Sequence, residues 1–170
     1  MNDALASFRC DLDKDIETFL HEKALNFIER GWCSVYLIVD EAEFDNGHIK
    51  VEAYFTLSHK SLIPDAASKN SIKATSGFKT AQSIHFVLIG QLGKYKYIEN
   101  EHHIVSSPIT GKQILDYTFE VIHDASNLIP CRCALVECSA DENIQNFYRN
   151  NGFKYFQYDG DHHQFYREIK

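Results

Sequence analysis

The run Thr110-Gly111-Lys112 has the residue types of an anion-binding helix start. A helix begins with backbone N–H groups that lack partners within the helix, and such groups attract anions, phosphates above all. Gly111 removes a side chain where a phosphate would approach, and Lys112 adds a positive charge. The sequence therefore offers a candidate phosphate site, although a plain helix cap has the same pattern.

Two nucleotide-binding motifs are missing at this place. A P-loop needs a glycine five residues before Gly111, where the sequence has Ser106. The three spaced glycines of the dinucleotide fingerprint are absent as well. The sequence therefore argues against a Walker-type NTPase and against a dinucleotide-binding site.

An almost continuous apolar run precedes this helix and ends in Gln91-Leu92-Gly93. The run, Ile84–Gly93, is typical of a central strand that is covered on both faces. Gly90 and Gly93 predict a bulge, or a place where another backbone or a ligand comes close. Strand and helix together form a βα unit.

Two starts fit the helix that follows. Thr110-Gly111-Lys112-Gln113 fits a capping box, whereas Ser107-Pro108 would place a capping serine and a first-turn proline one turn earlier. The sequence leaves both starts open.

The other elements follow from the spacing of apolar residues. We expect Ser34–Val39 and the next strand to form an antiparallel hairpin, and residues 58–83 to be a loop with room for a short helix. The order is αββ, a loop, then βαβαββ, in one domain over residues 1–170. Helices are predicted over Asp13–Glu29, Gly111–Ala125 and Asp141–Arg149, and the later strands over Cys131–Cys138, Phe153–Tyr158 and Gln164–Ile169. The second strand, Ile49–Leu57, is expected to face the core with Ile49, Val51, Ala53, Phe55 and Leu57.

Composition limits the classes of function. The 170 residues include 17 Lys+Arg and 24 Asp+Glu, a formal charge of -7, which disfavours non-specific binding of nucleic acid. No apolar run approaches the roughly 20 residues of a membrane-spanning helix, and the first residues lack the features of a secretory signal. Five cysteines without a regular framework suit reduced thiols. We therefore expect a cytoplasmic protein.

The segment from Leu135 to Phe153 resembles the GNAT acyltransferase superfamily. There a strand is followed by an asparagine, a Phe-Tyr pair and a short spacer to Gly-Phe, and Asn143, Phe147-Tyr148 and Gly152-Phe153 match in order and spacing. The resemblance implies an α/β (α+β) fold with a mixed, mostly antiparallel central sheet flanked by helices. That sheet splays between the family's fourth and fifth strands, which correspond to Ile84–Gly93 and Cys131–Cys138 here.

The resemblance extends upstream to the acetyltransferases of the toxin–antitoxin type. Phe8-Arg9-Cys10, the helix around Phe19-Leu20, Tyr54 to Ser58 and Leu88 to Gly93 look like that group. One departure stands out, because the family's pyrophosphate loop reads Gln/Arg-x-x-Gly-x-Gly/Ala. In the six residues Ser106 to Gly111 only the last position matches, and the connection from Gly93 is several residues longer than usual.

The resemblance also implies a mechanism and a set of site residues. Acetyl-CoA would be the acyl donor to a primary amine, with Gln91, Leu92 and Gly93 at the cofactor and a backbone N–H polarising the thioester carbonyl. Tyr148 would donate a proton to the departing thiolate, and Asn143 would hydrogen-bond the pantetheine arm or help to place Tyr148. Further cofactor contacts would come from the helix start, that is from Thr110, Gly111 and Lys112.

The base that would deprotonate the amine is left open by the same reasoning. Glu137 and His85 are candidates, and an amine that arrives deprotonated would need none. A cysteine nucleophile at Cys138 is disfavoured, and so is a zinc site built from the cysteines and the pairs His102-His103 and His162-His163, because Cys-x-Cys on a strand lacks the usual spacing.

Partners are predicted only by class. The leading hypothesis is an N-acyltransferase with an unidentified amine acceptor and no membrane partner. A homodimer is weakly favoured, and an antitoxin protein is a further candidate partner. A second reading is a toxin that acetylates the α-amine of aminoacyl-tRNA, for which Lys60, Lys69, Lys73 and Lys79 are the clustered cations. A third is a non-catalytic binding module that kept the fold.

Overall fold

The structure, a computed structural model, describes residues 2–100 and 103–169. The chain divides into two compact units. Unit 1 contains Met1–Leu57 and Gln91–Thr118, and unit 2 contains Ser58–Gly90 and Phe119–Lys170. The expectation of a single domain stays a prediction.

The strands form a six-stranded mixed sheet and a two-stranded sheet. The strands are β1 (Ser34–Val39), β2 (Val51–Leu62), β3 (Ile84–Lys94), β4 (Lys96–Asn100), β5 (His103–Ser106), β6 (Cys133–Cys138), β7 (Lys154–Tyr158) and β8 (His163–Glu168). The six-stranded sheet has the order β1-β2-β3-β6-β8-β7, and β4 with β5 forms a two-stranded sheet. Pairs β1/β2, β6/β8 and β7/β8 are antiparallel, as predicted for a mostly antiparallel sheet.

Strands β3 and β6 are parallel and pair over a short ladder. The pairs run from Val87 opposite Ala134 to Ile89 opposite Val136. Strand β3 continues to Lys94 and β6 to Cys138. A ladder that is shorter than both strands agrees with the predicted splay at this pair.

The helical segments precede β1 or connect later strands. They are α1 (Asn2–Ser7), α2 (Lys14–Thr18), a π-helical turn (Phe19–Lys23), α3 (Ala24–Glu29), α4 (Glu41–Asp45), α5 (Lys69–Ser76), α6 (Gly111–Leu128) and α7 (Glu142–Asn150). In the described part of the chain, none of them is long and apolar enough to span a bilayer.

The predicted helix over Asp13–Glu29 is confirmed, with a difference in its middle turn. Asp13 caps it by accepting from the amides of Asp15 and Ile16. The π-helical turn then inserts an extra residue and changes the face that the following residues present. Beyond this turn, the apolar residues Leu25 and Ile28 of α3 are exposed.

Unit 1 has its core between the amino-terminal helices and β2. Tyr54 is fully buried there among Phe8, Phe19 and Leu20, and its hydroxyl donates to the carbonyl of Ile16 at 2.6 Å. Strand β2 is buried on both faces, because Glu52, Tyr54 and Thr56 are as buried as the predicted core residues. The prediction for Ile49 is wrong, since it precedes β2 and is exposed.

Unit 2 has a separate core of apolar residues from β3, β6, β7 and β8. Phe86 and Phe156 meet edge to face at 5.5 Å, and Phe156 meets Tyr166 in the same way at 6.1 Å. The loop predicted over residues 58–83 is partly wrong, because Ser58–Leu62 extends β2 and only the rest is loop and helix.

The long connection between β3 and α6 contains the hairpin β4/β5, which the sequence did not reveal. The hairpin is tied to the amino-terminal segment within unit 1. Lys96 donates its amide to Arg9 O at 2.8 Å, and Asp11 accepts the amide of Ile98 at 2.6 Å. Of the residues that separate Gly93 from Gly111, those of β4 and β5 therefore belong to a paired element.

Candidate active site

The start of α6 in unit 1 is a capping box. The amide of Gln113 donates to Thr110 Oγ1 at 3.2 Å, and the amide of Thr110 donates back to Gln113 Oε1 at 2.9 Å. Of the two starts that the sequence allowed, the structure has the one at Gly111. The cap uses two N–H groups, so the amides of Gly111 and Lys112 are the donors that this turn can offer an anion.

Lys112 is largely exposed at this helix start. Its Nζ lies 2.6 Å from Asp116 Oδ2, one turn further along α6. An exposed pair of this kind is weak, and its lysine can turn to another anion at little expense in stability. Gly111, Lys112 and their amides therefore fit a phosphate group.

The loop before α6 departs from the family pattern for a structural reason. Ser107 is buried, its amide donates to Tyr95 O at 3.0 Å, and its hydroxyl accepts the amide of Ile109 at 3.1 Å. The backbone of Ser107 thus ties the loop to the residue after β3, and its hydroxyl closes a local turn onto Ile109. The glycines of the family's loop have no counterpart at this tether.

The carboxyl end of β3 contains the predicted residues Gln91, Leu92 and Gly93. The amide of Gln91 donates to Thr56 Oγ1 at 2.9 Å. A Cβ at Gly93 would lie 2.5 Å from Ile16 Cγ2 and 2.6 Å from Tyr54 Cε1. The sequence predicted a bulge, or a backbone or ligand, at this glycine, whereas the close approach is made by side chains of the unit 1 core.

Tyr148 lies in unit 2 on α7, held between two phenylalanines. Its ring centroid is 5.2 Å from that of Phe147 and 5.4 Å from that of Phe153, both at steep interplanar angles. Burial raises the pKa of Tyr148 to about 12, and the nearby Cys138 adds to the rise. The phenol therefore stays protonated, and able to donate, throughout the physiological range.

The Gly-Phe part of the motif fixes this arrangement. Gly152 has φ +84°, a left-handed conformation that favours glycine, and it follows the last turn of α7. The amide of Phe153 then donates to Tyr148 O at 3.1 Å, which brings the two rings together. The spacing from Tyr148 to Phe153 thus has a direct structural cause.

Asn143 lies near the start of α7, where Asp141 is the capping residue. The amide of Asn143 donates to Asp141 Oδ1 at 2.8 Å, and the residue is exposed. Five positions separate Asn143 from Tyr148, which on an α-helix is a rotation of about 140°. The two side chains therefore leave the helix in different directions.

Glu137 lies on β6 in unit 2 and is bound by two donors. Lys60 Nζ lies 2.7 and 2.6 Å from its Oε1 and Oε2, and Gln164 Nε2 donates to Oε1 at 2.7 Å. Gln164 faces Glu137 directly across the β6/β8 ladder. Sequence reasoning named Lys60 only as one of four clustered cations and did not single out Gln164, because no local pattern indicates that either residue contacts Glu137.

The other candidates have ordinary surroundings. His85 Nδ1 lies 2.6 Å from Ser61 Oγ at an exposed position. All five cysteines are free, and burial raises the pKa of Cys133 to about 12 and that of Cys138 above its usual value. Among the described residues no group of His, Cys, Asp and Glu could hold a metal, and His102 lies outside those residues.

Unit 2 also has a groove of about 510 Å³ beside α5. Lys69 and Lys79 line it together with apolar residues and one carboxylate, Asp65. These cations belong to the cluster noted in the sequence, whereas Lys60 is engaged by Glu137.

The sheet order, the short parallel ladder and the flanking helices define a GNAT-like fold. The toxins KacT and AtaT share this fold in solved structures. A mutant of KacT superposes with a TM-score of 0.71 at 18% identity, over 97% of this chain and 87% of KacT. AtaT complexed with acetyl-methionyl-tRNA gives 0.73 at 17% identity, over 99% of this chain and 91% of AtaT.

A third structure is a mutant AtaT toxin bound to the C-terminus of the antitoxin AtaR and acetyl-CoA. It superposes with a TM-score of 0.68 at 16% identity, over 99% of this chain and 89% of AtaT. No family model matches the sequence, and no curated protein does either. The resemblance to GNAT toxins is thus confirmed at the level of the fold.

Proposed function

We propose that this protein is an N-acetyltransferase that transfers the acetyl group of acetyl-CoA to a primary amine. The observation that carries the proposal is Tyr148, a phenol held by Phe147 and Phe153 at the motif position on a GNAT-like fold. Its pKa of about 12 keeps it a proton donor. Acetyl-CoA, when bound, supplies the activated thioester.

In unit 1 we assign the cofactor's phosphates to the start of α6. The amides of Gly111 and Lys112 and the ammonium of Lys112 are the donors, while Thr110 holds the first turn in shape. Gln91, Leu92 and Gly93 stay assigned to the cofactor. Since the amide of Gln91 is already bound to Thr56, the amides that serve are those of the residues after it.

In unit 2 we assign the proton transfers. Tyr148 donates to the thiolate as the thioester C–S bond breaks and the amide C–N bond forms. Glu137 faces the acceptor amine and receives the proton that this nitrogen loses. Asn143 is assigned to the pantetheine arm, because its exposed side chain leaves α7 away from Tyr148.

A coupled assay tests this proposal. The purified protein is titrated with acetyl-CoA and with CoA in a calorimeter, and release of free CoA is then followed with a panel of primary amines. Micromolar binding, about -8 kcal/mol, and saturable turnover are expected. Failure to bind either ligand at millimolar concentration would overturn the proposal in favour of a binding module that kept the fold.

The second candidate acceptor is the α-amine of aminoacyl-tRNA. It is favoured by the fold shared with AtaT, a toxin with a solved acetyl-methionyl-tRNA complex, and by the groove with Lys69 and Lys79. An antitoxin protein would then be a partner, and assembly as a homodimer stays a prediction. The charge of -7 requires such a local cationic face. Acetylation of charged tRNA in vitro, with a rate that falls steeply as salt rises, is the expected result.

A further inference from the structure

A buried network of amides fixes the carboxylate of Glu137. Gln164 is completely buried, and its Nε2 donates to Glu137 Oε1 at 2.7 Å and to Asp159 Oδ2 at 2.9 Å. Its Oε1 in turn accepts from Gln157 Nε2 at 3.1 Å. Gln164 is thus bound on both sides of its amide group, which leaves one orientation for the N–H groups that face Glu137.

The network continues to the backbone of the segment after β2. Gln157 Nε2 donates to Ile63 O at 3.1 Å, and Gln157 Oε1 accepts the amide of Ala66 at 3.3 Å. On the other side, the amides of Asp161 and His162 lower the pKa of Asp159, so it is a carboxylate acceptor at neutral pH. Through Gln164, Glu137 is thus connected to Asp159 and Gln157 by hydrogen bonds.

Lys60 differs from the other paired lysines of the described chain. Its side chain is 33% exposed, whereas the side chains of Lys14, Lys50, Lys112 and Lys154 are 50% to 69% exposed. Its ammonium also lies 2.7 and 2.6 Å from the two oxygens of one carboxylate, closer than the 3.3 Å at which Lys14 contacts both oxygens of Glu17. The fixed, partly buried carboxylate of Glu137 therefore binds a primary ammonium group, the side-chain ammonium of Lys60.

We propose that Glu137, oriented by Gln164, is a binding subsite for a primary ammonium group, which Lys60 fills in the resting protein and the acceptor fills in its place. The inference rests on the proposed acetyl transfer. In that reaction, Glu137 acts first by binding the ammonium group of the acceptor. Gln164 is a positioning residue. Lys60 is an internal competitor that lowers the apparent affinity for the acceptor.

The effect of Lys60 on the apparent affinity for the acceptor can be estimated. If the pair between Lys60 and Glu137 is formed about nine-tenths of the time, the carboxylate is available for about one-tenth of it. The apparent dissociation constant of the acceptor is then about ten times the intrinsic one. Removal of the Lys60 ammonium should therefore lower the apparent dissociation constant of the acceptor about tenfold.

The kinetic test compares Lys60→Met with Glu137→Gln. The first variant should lower KM for a primary amine about tenfold, and the second should raise KM by at least that factor. A purely structural ion pair would predict that both variants raise KM, since each would loosen the same contact. Lys154→Met, which breaks an exposed pair with Glu168, is the matched control and should leave KM unchanged.

A binding test needs no turnover. The wild-type protein labelled with ¹⁵N is titrated with propylammonium chloride, and the side-chain amide signals of Gln164 are followed by NMR. These signals should shift in a saturable way, at about tenfold lower concentration in Lys60→Met and without saturation in Glu137→Gln. The wild-type titration alone decides the matter if either variant does not fold.

The outcomes separate the two proposals. If propylammonium shifts the Gln164 signals but no amine is acetylated, the acetyltransferase proposal fails and the ammonium subsite stands. If amines are acetylated but Gln164 does not respond, or if Lys60→Met raises KM as Glu137→Gln does, the subsite is overturned and the enzyme stands.

Discussion

The start of α6 in unit 1 and the surroundings of Glu137 in unit 2 hold their polar groups in opposite ways. At α6, Lys112 is exposed, its partner Asp116 is one turn away, and Thr110 and Gln113 cap each other within four residues. Around Glu137, the donors Lys60 and Gln164 come from distant strands, and the amide of Gln164 is completely buried.

The contrast indicates two kinds of binding. Local, exposed contacts rearrange at a small cost in free energy, which suits a helix start that binds the phosphates of a ligand. Buried contacts from several elements hold one geometry, which suits a group that acts in a chemical step. Changes in unit 2 should therefore affect catalysis or stability strongly, whereas changes at α6 should act mainly on cofactor affinity.

The largest effect is expected for Tyr148→Phe. Loss of the proton donor should lower kcat by about 10² to 10⁴ while the calorimetric Kd for acetyl-CoA stays within about twofold. Tyr117→Phe, at an exposed tyrosine on α6, is the matched control and should change neither value. An unchanged kcat in Tyr148→Phe would remove the phenol from the mechanism.

The same tyrosine predicts the pH dependence. With a pKa of about 12, Tyr148 keeps its proton up to roughly pH 11, so kcat should not fall as the pH rises from about 8 to 10. Because the pKa in the folded protein lies above that of a free tyrosine, the related stability is present below about pH 10 and is lost toward pH 12. An alkaline loss of kcat with a midpoint below pH 10 would contradict the assignment.

The buried amide of unit 2 gives the next largest effect. Gln164→Leu removes one hydrogen-bond partner from each of Gln157, Glu137 and Asp159 inside the protein, and should lower the free energy of unfolding by about 3 kcal/mol. Urea unfolding measures this. Gln82→Leu, at an exposed glutamine, should change the value by less than about 0.5 kcal/mol.

A packing contact of unit 1 comes third. Gly93→Ala would place a methyl group 2.5 Å from Ile16 and 2.6 Å from Tyr54, and Tyr54 is fully buried with its hydroxyl bound to Ile16 O. We expect a loss of about 2 kcal/mol in thermal or urea unfolding, typical of an overfilled core. A neutral effect would show that Ile16 and Tyr54 can shift to accept the added methyl group.

Local patterns let the sequence predict much of this fold. Apolar runs located the central strand and β6, and the Thr110-to-Gln113 spacing predicted a capping box, because these features depend on neighbours within a few residues. The motif from Phe147 to Phe153 was equally visible, since a left-handed glycine turn fixes its spacing.

Long-range partners explain what the sequence did not show. Ser58 to Lys60 were predicted as loop because they are polar. In the structure they belong to β2, and the ammonium of Lys60 is paired with the carboxylate of Glu137, far along the chain. The β4/β5 hairpin likewise makes contacts with the amino-terminal segment, far away in sequence. Gly93 was recognised as a close approach, but only the fold reveals that Ile16 and Tyr54 make it.

Loss of the α6 cap should lower the free energy of unfolding less than Gln164→Leu or Gly93→Ala does. Thr110→Ala removes the hydroxyl that accepts from Gln113 and should lower the free energy of unfolding by about 1 kcal/mol. Thr110→Ser keeps that hydroxyl and should stay near the wild-type value. Equal losses in the two variants would assign the effect to the methyl group and not to the cap.

The smallest effect on stability, and the sharpest test of the contrast, is expected for Lys112→Gln. Its exposed pair with Asp116 contributes little, so the free energy of unfolding should change by less than about 0.5 kcal/mol. The Kd for acetyl-CoA should nevertheless rise about three- to tenfold, because a charge near the phosphates is lost. Lys154→Gln removes a comparably exposed charge in unit 2, and a similar rise there would mean that net charge, and not the start of α6, sets cofactor affinity.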